Sequence, residues 1–133
     1  MTTPSLDTSA YATHDVWNQR GCDHCDAQRY GDAVAAFDRA IALNPHYCPA
    51  WNNRGVALGQ QQRYAEALAA YDRAIALQPH YHQAWYNRGL LFVAMMAYGN
   101  ALESFDRALS LYPDAAYLDA SQRIYNDGKL IAA

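Results

Sequence analysis

The sequence carries little basic charge and no basic cluster. Ten Lys and Arg residues stand against thirteen Asp and Glu residues in 133 positions, which gives a formal net charge of −3 at pH 7. A nucleic-acid partner requires a basic face that neutralises phosphates. The arginines here are spread along the chain rather than clustered. We therefore expect no nucleic-acid partner.

Long apolar runs and the cysteine spacing of a disulfide scaffold are also lacking. The most apolar run covers residues 90–98, whereas a membrane-spanning helix needs about 20 apolar residues. Residues 1–13 contain no basic residue and no apolar stretch, so they do not resemble a secretory signal, and we expect them to be disordered. Three cysteines without scaffold spacing predict reduced thiols. These absences favour a cytoplasmic protein with no membrane partner.

A repeat with a period of 34 residues is the strongest pattern that is present. Its seven columns are Trp17, Trp51 and Trp85; Gly21, Gly55 and Gly89; Tyr30, Tyr64 and Tyr98; Ala33, Ala67 and Ala101; Phe37, Tyr71 and Phe105; Ala40, Ala74 and Ala108; and Pro45, Pro79 and Pro113. A period of this length indicates stacked structural repeats. Such chains usually offer a long surface to a partner rather than a catalytic pocket.

The middle period has the pattern of two helices. Apolar and small residues recur at helical spacing from residue 50, and residues 61–63 break the pattern. A second amphipathic pattern covers residues 64–75, and Pro79 ends it. Small side chains at Gly55 and Ala67 allow the two helices to approach closely. A single pair cannot bury both of its faces, so neighbouring pairs must stack.

The recurring Trp, Gly, Tyr, Ala, aromatic, Ala and Pro residues resemble the pattern of the tetratricopeptide repeat family. The three units would be residues 14–47, 48–81 and 82–115. The resemblance implies an all-α fold, a right-handed superhelical solenoid of stacked antiparallel helix pairs. It also implies that the first helix of each unit lines a concave groove.

The segment after residue 115 does not continue the repeat, and we expect residues 116–133 to be a capping helix with a tail. At a strict spacing of 34, Asp119 replaces Trp and Arg123 replaces Gly. Asp114 is a suitable N-cap, and Gly128 is a suitable stop. The ends of a repeat stack need such a polar outer face.

Two further columns of opposite charge also follow the repeat. They consist of Arg20, Arg54 and Arg88, and of Asp38, Asp72 and Asp106. Many tetratricopeptide repeats carry Leu where these arginines stand. We expect each Arg to reach an Asp of its own or the adjacent unit, which would give a ladder of ion pairs. The alternative is that the arginines extend into solvent.

The groove implied by the resemblance has an amide-rich band and an apolar end. Mapped by column, its predicted partner-binding residues are Asn18, Gln19, Cys22, Asn52, Asn53, Val56, Gln83, Tyr86, Asn87, Leu90 and Val93. Amides offer donors and acceptors to a bound peptide or helix, and Tyr is enriched at interface hot spots. Two alternatives remain open. The amides would serve packing or solubility, and Leu90 and Val93 would contact the capping helix.

A known peptide-binding mode of the family clamps a C-terminal carboxylate with Lys, Asn and Arg side chains. The equivalent columns here hold Asn18, Cys22, Asn53, Gln83 and Asn87. Asn53 matches the clamp, but every cationic position is lost. A buried carboxylate without a charged partner is costly. We therefore predict that the groove does not bind chaperone tails.

Cys22 and Cys25 form a Cys-x-x-Cys motif, which can hold zinc or exchange thiols. A structural zinc needs four ligands, and the sequence has one such pair. The motif lies in the second half of a predicted helix, where the helix dipole does not lower a thiol pKa. A metal or thiol function is therefore the weaker alternative.

The sequence has no Ser/His/Asp arrangement, paired-carboxylate motif or phosphate-cradling loop. We predict a scaffold or adaptor that binds a protein or peptide partner, and neither an enzyme nor a cofactor-binding protein. The alternative in another class is a self-assembling homo-oligomer. It would join at the ends of the stack and at an apolar patch around Phe92, Met95 and Met96.

Overall fold

A computed structural model describes residues 12–127, which form seven α-helices and contain no strand. The helices are α1 (His14–Asp26), α2 (Tyr30–Leu43), α3 (Cys48–Gln60), α4 (Tyr64–Leu77), α5 (His82–Ala94), α6 (Tyr98–Leu111) and α7 (Ala115–Asn126). The predicted all-α fold is confirmed. The expected disorder of residues 1–13 falls outside the described range except at its end, where the Thr13 hydroxyl accepts a hydrogen bond from the Val16 amide and caps α1. The stop expected at Gly128 also lies outside that range.

The helices stack as a solenoid of helix pairs. The pairs are α1 with α2, α3 with α4, and α5 with α6, and the second helix of each pair packs on the first helix of the next. The first helices also contact one another directly, α1 with α3 and α3 with α5. Because the first helices of neighbouring pairs contact one another and the second helices do not make comparable contacts, the first helices form the inner side of the stack.

Within each pair, the recurring glycine lies against the recurring aromatic ring. A Cβ atom at residue 55 would lie 2.6 Å from Cε1 of Tyr71, a distance that real Cβ contacts do not reach. Tyr71 is buried, so its ring cannot shift without disturbing the packing around it. Gly21 meets Phe37 and Gly89 meets Phe105 in the same way. The glycine column is therefore required by close approach of the two helices.

The turns inside the pairs share one backbone conformation although their residues differ. Gln28, Gln62 and Met96 all have φ of 60°, in the left-handed region. The next residue closes the helix, as where the Arg63 amide donates to the Leu58 carbonyl at 3.0 Å. This conformation suits glycine better than Gln or Met. Each pair thus carries one strained turn residue.

The predicted ladder of ion pairs forms between units, with two Arg–Asp rungs. Nε of Arg54 lies 2.6 Å from Oδ1 of Asp38, and Nε of Arg88 lies 2.8 Å from Oδ1 of Asp72. Arg20 instead lies over the Trp17 ring, 4.7 Å from its centroid.

The third carboxylate of the ladder is bound by α7. Oγ of Ser121 donates to Oδ1 of Asp106 at 2.6 Å. Each rung joins the second helix of one pair to the helix that follows it.

The capping helix is shifted by one residue relative to the repeat. The loop before it covers residues 112–114, whereas the earlier loops cover 44–47 and 78–81. The Asp114 carboxylate caps α7 by accepting from the Ala116 amide at 2.8 Å, so the predicted N-cap is confirmed and the helix begins at Ala115 rather than 116.

Contacts on α7 show the same shift. Ser121 binds Asp106 where Arg88 binds Asp72, and Ile124 is buried as Leu91 is. Both pairs of equivalent residues are separated by 33 positions instead of 34. The placement of Asp119 and Arg123 in the Trp and Gly columns is therefore wrong. Leu118 and Gln122 occupy those positions.

Candidate binding groove

A chain of hydrogen-bonded asparagines crosses the inner side of the solenoid. Nδ2 of Asn87 donates to Oδ1 of Asn52 at 3.1 Å, and Nδ2 of Asn53 donates to Oδ1 of Asn18 at 3.1 Å. A longer bond of 3.4 Å links Asn52 to Asn53. The four side chains thereby join α5, α3 and α1. Asn52 is buried, so its amide needs these protein partners.

The amide band predicted from the sequence is therefore narrower than expected. Gln19 turns along its own helix and donates to Oδ1 of Asp23 at 3.0 Å. Gln83 lies beside the loop between α4 and α5, in a depression with Pro79 and His82. The structure brings four of the six amides together and supports a packing role for Asn52 in particular.

A first pocket opens between α3 and α5, with a volume of about 360 Å³. Val56, Asn87 and Leu90 of the predicted set line it together. The full lining is Val56, Gly59, Gln60, Gln62, Tyr64, Tyr71, Asn87, Leu90, Leu91 and Ala94. Apart from two tyrosines, these side chains carry no ionisable group, so the pocket is neutral at pH 7.

A second pocket opens between α5 and α7, with a volume of about 340 Å³. It brings together Tyr86, Leu90 and Val93 of the predicted set. The full lining is Tyr86, Leu90, Val93, Tyr98, Phe105, Ala116, Asp119, Ala120, Arg123, Ile124 and Asp127. Leu90 lines both pockets and separates them.

The two pockets are equivalent positions of the repeat. Tyr98 and Phe105 of the second pocket stand 34 residues after Tyr64 and Tyr71 of the first. The contributions of α7 stand 33 residues after those of α5. These are Ala120, Arg123, Ile124 and Asp127 after Asn87, Leu90, Leu91 and Ala94. The capping helix thus completes a second copy of the same pocket with a different surface chemistry.

The apolar end of the groove is covered in one part and open in another. The Tyr86 ring stacks on Tyr117 of α7, with centroids 4.7 Å apart and planes at 29°. Leu90 is 44% exposed and Val93 is 37% exposed. Both therefore line a pocket with α7 without being buried by it, while much of Tyr86 serves to anchor the capping helix.

Arginines lie mainly outside the two pockets. Arg54 and Arg88 pair with aspartates of the preceding unit, and Arg39, Arg73 and Arg107 lie over the rings of Trp17, Trp51 and Trp85. Arg123 lines the second pocket, with its Nε 2.9 Å from Oδ2 of Asp119. The amide at the one matching clamp position, Asn53, is occupied by Asn18 and by Sγ of Cys22 at 3.5 Å.

The cysteines are packing residues in the described structure. Cys22 and Cys25 are partly buried and pack against a core cluster that includes Phe37 and Leu58. Burial, with a smaller effect of Asp26, raises the pKa of the Cys22 thiol. Cys48 is buried, its Sγ donates to the Ala74 carbonyl at 3.2 Å, and burial raises its pKa to about 11. Raised pKa values keep thiols protonated and unreactive. Residues 12–127 contain no group of three or more His, Cys, Asp or Glu placed to hold a metal ion.

The apolar patch proposed for self-association is smaller than the sequence indicates. Phe92 is buried and packs with Ala101, Phe105 and Ile124 in the core between α5, α6 and α7. Its assignment to an exposed patch is wrong, because the position faces inward in the repeat. Met95 and Met96 are 40% and 76% exposed at the turn after α5.

Among the helices of residues 12–127, none combines the length and the apolar character that a membrane span requires.

Sequence reasoning missed the contribution of α7 to the groove. Asp119, Arg123 and Asp127 line the second pocket, whereas the sequence predicts for them only the polar outer face of a capping helix. Tyr64 and Tyr98 belong to one repeat column, and each lines one of the two pockets. This recurrence is the sequence signal that indicates a second pocket beside α7. The one-residue shift of α7 depends on the loop at 112–114 and has no signature in the period.

Comparison with known proteins points to one family. Two family models described as tetratricopeptide repeat match residues 18–82 and 58–123, which together span most of the chain. No curated protein sequence matches the chain.

Solved structures share the fold at low sequence identity. The first TPR domain of the human RPAP3 protein is 21% identical with a TM-score of 0.84, covering 90% of this chain and 93% of that chain. The first TPR of Spaghetti (RPAP3), bound to the HSP90 peptide SRMEEVD, is 20% identical with a TM-score of 0.82, covering 98% and 100%. The Arabidopsis OM64 TPR domain is 22% identical with a TM-score of 0.81, covering 86% and 95%.

Proposed function

Since the chain belongs to the tetratricopeptide repeat family, we propose that it is a scaffold or adaptor whose inner groove binds a peptide or helix of a partner protein. Domains of this family mediate protein–protein interaction. The partner would bind at the surface formed by the two pockets on either side of Leu90.

The exposure of Leu90 between two pockets carries the proposal. A large aliphatic side chain that is 44% exposed on a concave surface gains free energy when a partner covers it. Concave sites with apolar walls and a few polar groups are typical binding sites. Here Asn87 supplies an amide at the wall of the first pocket, and Val93 extends the apolar wall of the second.

The proposed ligand is not a C-terminal carboxylate of the chaperone type. The bound peptide of the Spaghetti structure, SRMEEVD, has three acidic residues among its last four and ends in Asp. The first pocket of this chain has no cationic side chain in its lining, and the Asn53 amide is engaged by Asn18 and Cys22. An acidic tail would lose its hydration without gaining a charged partner.

The proposal includes no catalytic step, metal or cofactor, and it places the protein in the cytoplasm without a nucleic-acid or membrane partner. Protonated Cys22 and Cys25 support the absence of thiol chemistry. Self-association is not part of the proposal, because Phe92 is buried and leaves only Met95 and Met96 of the predicted patch.

Selection of short random peptides displayed on phage, followed by anisotropy titration, tests the groove. Leu90→Asp should weaken enriched peptides by about tenfold or more, or about 1.4 kcal/mol, as expected for a central interface residue. Leu118→Asp is the matched control, because Leu118 is also 44% exposed and lies outside both pocket linings.

If Leu90→Asp and Leu118→Asp weaken peptide binding equally, the groove proposal is contradicted. It is also contradicted if the selected peptides bind the Leu90→Asp variant with unchanged affinity. Thermal melting of both variants shows whether the fold is intact. Each substitution concerns a partly exposed helix position, so neither should unfold the chain.

A further inference from the structure

We propose that the partner segment is cationic as well as apolar, with an aliphatic or aromatic side chain in the second pocket and a Lys or Arg beside Asp127. This rests on the proposed function of the groove and names the chemical class of its ligand. Three observations carry it: the charge of the second pocket, the engagement of the other arginines, and the difference between the two pockets.

The charge of the second pocket is negative. Its lining contains Asp119, Arg123 and Asp127 as charged groups. Arg123 pairs with Asp119 at 2.9 Å, so within residues 12–127 the carboxylate of Asp127 is the charge of the lining that has no cationic partner. The neighbouring α5 contributes Tyr86, Leu90 and Val93, none of which carries charge at pH 7.

In the described part of the chain, the basic side chains of α5 and α6 do not neutralise this pocket. Arg88 of α5 binds Asp72 and donates to Oγ of Ser104 at 3.0 Å. Arg107 of α6 lies over the Trp85 ring, in a separate depression on the outer side with Glu103. An approaching cation therefore meets a carboxylate at the pocket, while an approaching anion meets no unpaired guanidinium in the lining.

The walls of the second pocket select an apolar side chain next to that charge. Tyr86, Leu90, Val93, Phe105 and Ile124 all contribute to its lining. The first pocket is neutral and carries the Asn87 amide. The second pocket also has Leu90, Val93 and Phe105 where the first has Val56, Gly59 and Tyr71, but its charged groups all come from α7. A ligand that spans Leu90 therefore binds in one direction, with its cationic end toward α7.

Three peptide pools supply the test. Each pool contains the same apolar residues at random positions, and the remaining positions hold Lys in the first pool, Gln in the second and Glu in the third. We expect the Lys pool to give the tightest binders, with affinity that weakens as salt is raised, because partly exposed charges are screened.

Two variants of the second pocket sharpen the result. Asp127→Asn should weaken Lys-pool binders by about threefold to fivefold, and Arg123→Gln should strengthen them by a similar factor, because exposed charge pairs have effects of this size. If α7 had only a structural role, both substitutions would weaken the binding of the Lys-pool peptides. Asp32→Asn, an exposed carboxylate on α2, is the matched control and should change nothing.

The outcomes separate this inference from the function on which it rests. Leu90-dependent binding that is equal in all pools, or best in the Glu pool, overturns the cationic ligand and leaves the groove function standing. If no pool gives binding that depends on Leu90, the groove function itself fails.

Discussion

Within each helix pair, a glycine of the first helix lies against an aromatic ring of the second, and the three pairs repeat this contact. On the inner side of the same first helices, equivalent positions carry different residues, such as Cys22, Val56 and Leu90. The inside of a pair is constrained by close approach of two backbones. The inner surface meets no such close approach of two backbones, so its residues can differ from one unit to the next.

The largest expected effect breaks the repeated contact. Gly55→Ala places a Cβ against the buried Tyr71 ring, and we expect a loss of about 3 kcal/mol, at the upper end of overpacking effects. Gly99→Ala is the matched control. A Cβ there meets nothing within 4 Å, and replacing a helical Gly should stabilise by about 0.5–1 kcal/mol.

Urea unfolding of both variants measures this difference. If the two substitutions shift the midpoint in the same direction, close approach is not the reason for the glycine column.

The next effect concerns the asparagine chain, where the repeated and variable regions meet. Asn52→Ala removes an acceptor from Asn87 and a donor from Asn53. Leaving partly buried amides unpaired should cost about 1–3 kcal/mol. Gln19→Ala removes a bond within one helix and should stay within about 0.5 kcal/mol. Thermal unfolding by circular dichroism compares them, and an Asn52 variant as stable as the Gln19 variant would show that the chain is not a stabilising element.

The smallest expected effect concerns the turns, where the conformation repeats and the residue type does not. Gln62→Gly should stabilise by about 0.5 kcal/mol, because φ of 60° suits glycine and the gain is partly offset by unfolded-chain entropy. Gln61→Gly is the control, since Gln61 has φ of −83° and should be destabilised by glycine. The melting temperatures of the two variants, measured by calorimetry, should shift in opposite directions relative to the unsubstituted chain. Destabilisation by both would show that the left-handed turn carries no relievable strain.

The same comparison explains what the sequence could predict. The helix pairs, the turn at 61–63 and the Asp114 cap follow from local pattern, and the structure confirms them. The mutual pairing of Asn18 with Asn53 connects residues in different units. Its geometry depends on how the pairs stack, which the period does not specify.

Two errors have related physical causes. Phe92 lies near the end of α5, where apolar residues occupy more than one face of the helix. The sequence alone therefore does not show that Phe92 faces α6 and α7. The position of α7 depends on a loop one residue shorter than the others. One residue turns a helix by about 100°, so this small change decides which α7 residues reach the second pocket.

The third carboxylate of the ladder has a consequence for building with this protein. Asp106 stands where Asp38 and Asp72 each receive an arginine, but it receives the Ser121 hydroxyl. A further 34-residue module inserted after α6 would therefore find its docking partner already in place. Because Asp106 occupies the same position as Asp38 and Asp72, we expect the stack to accept additional whole modules between α6 and α7.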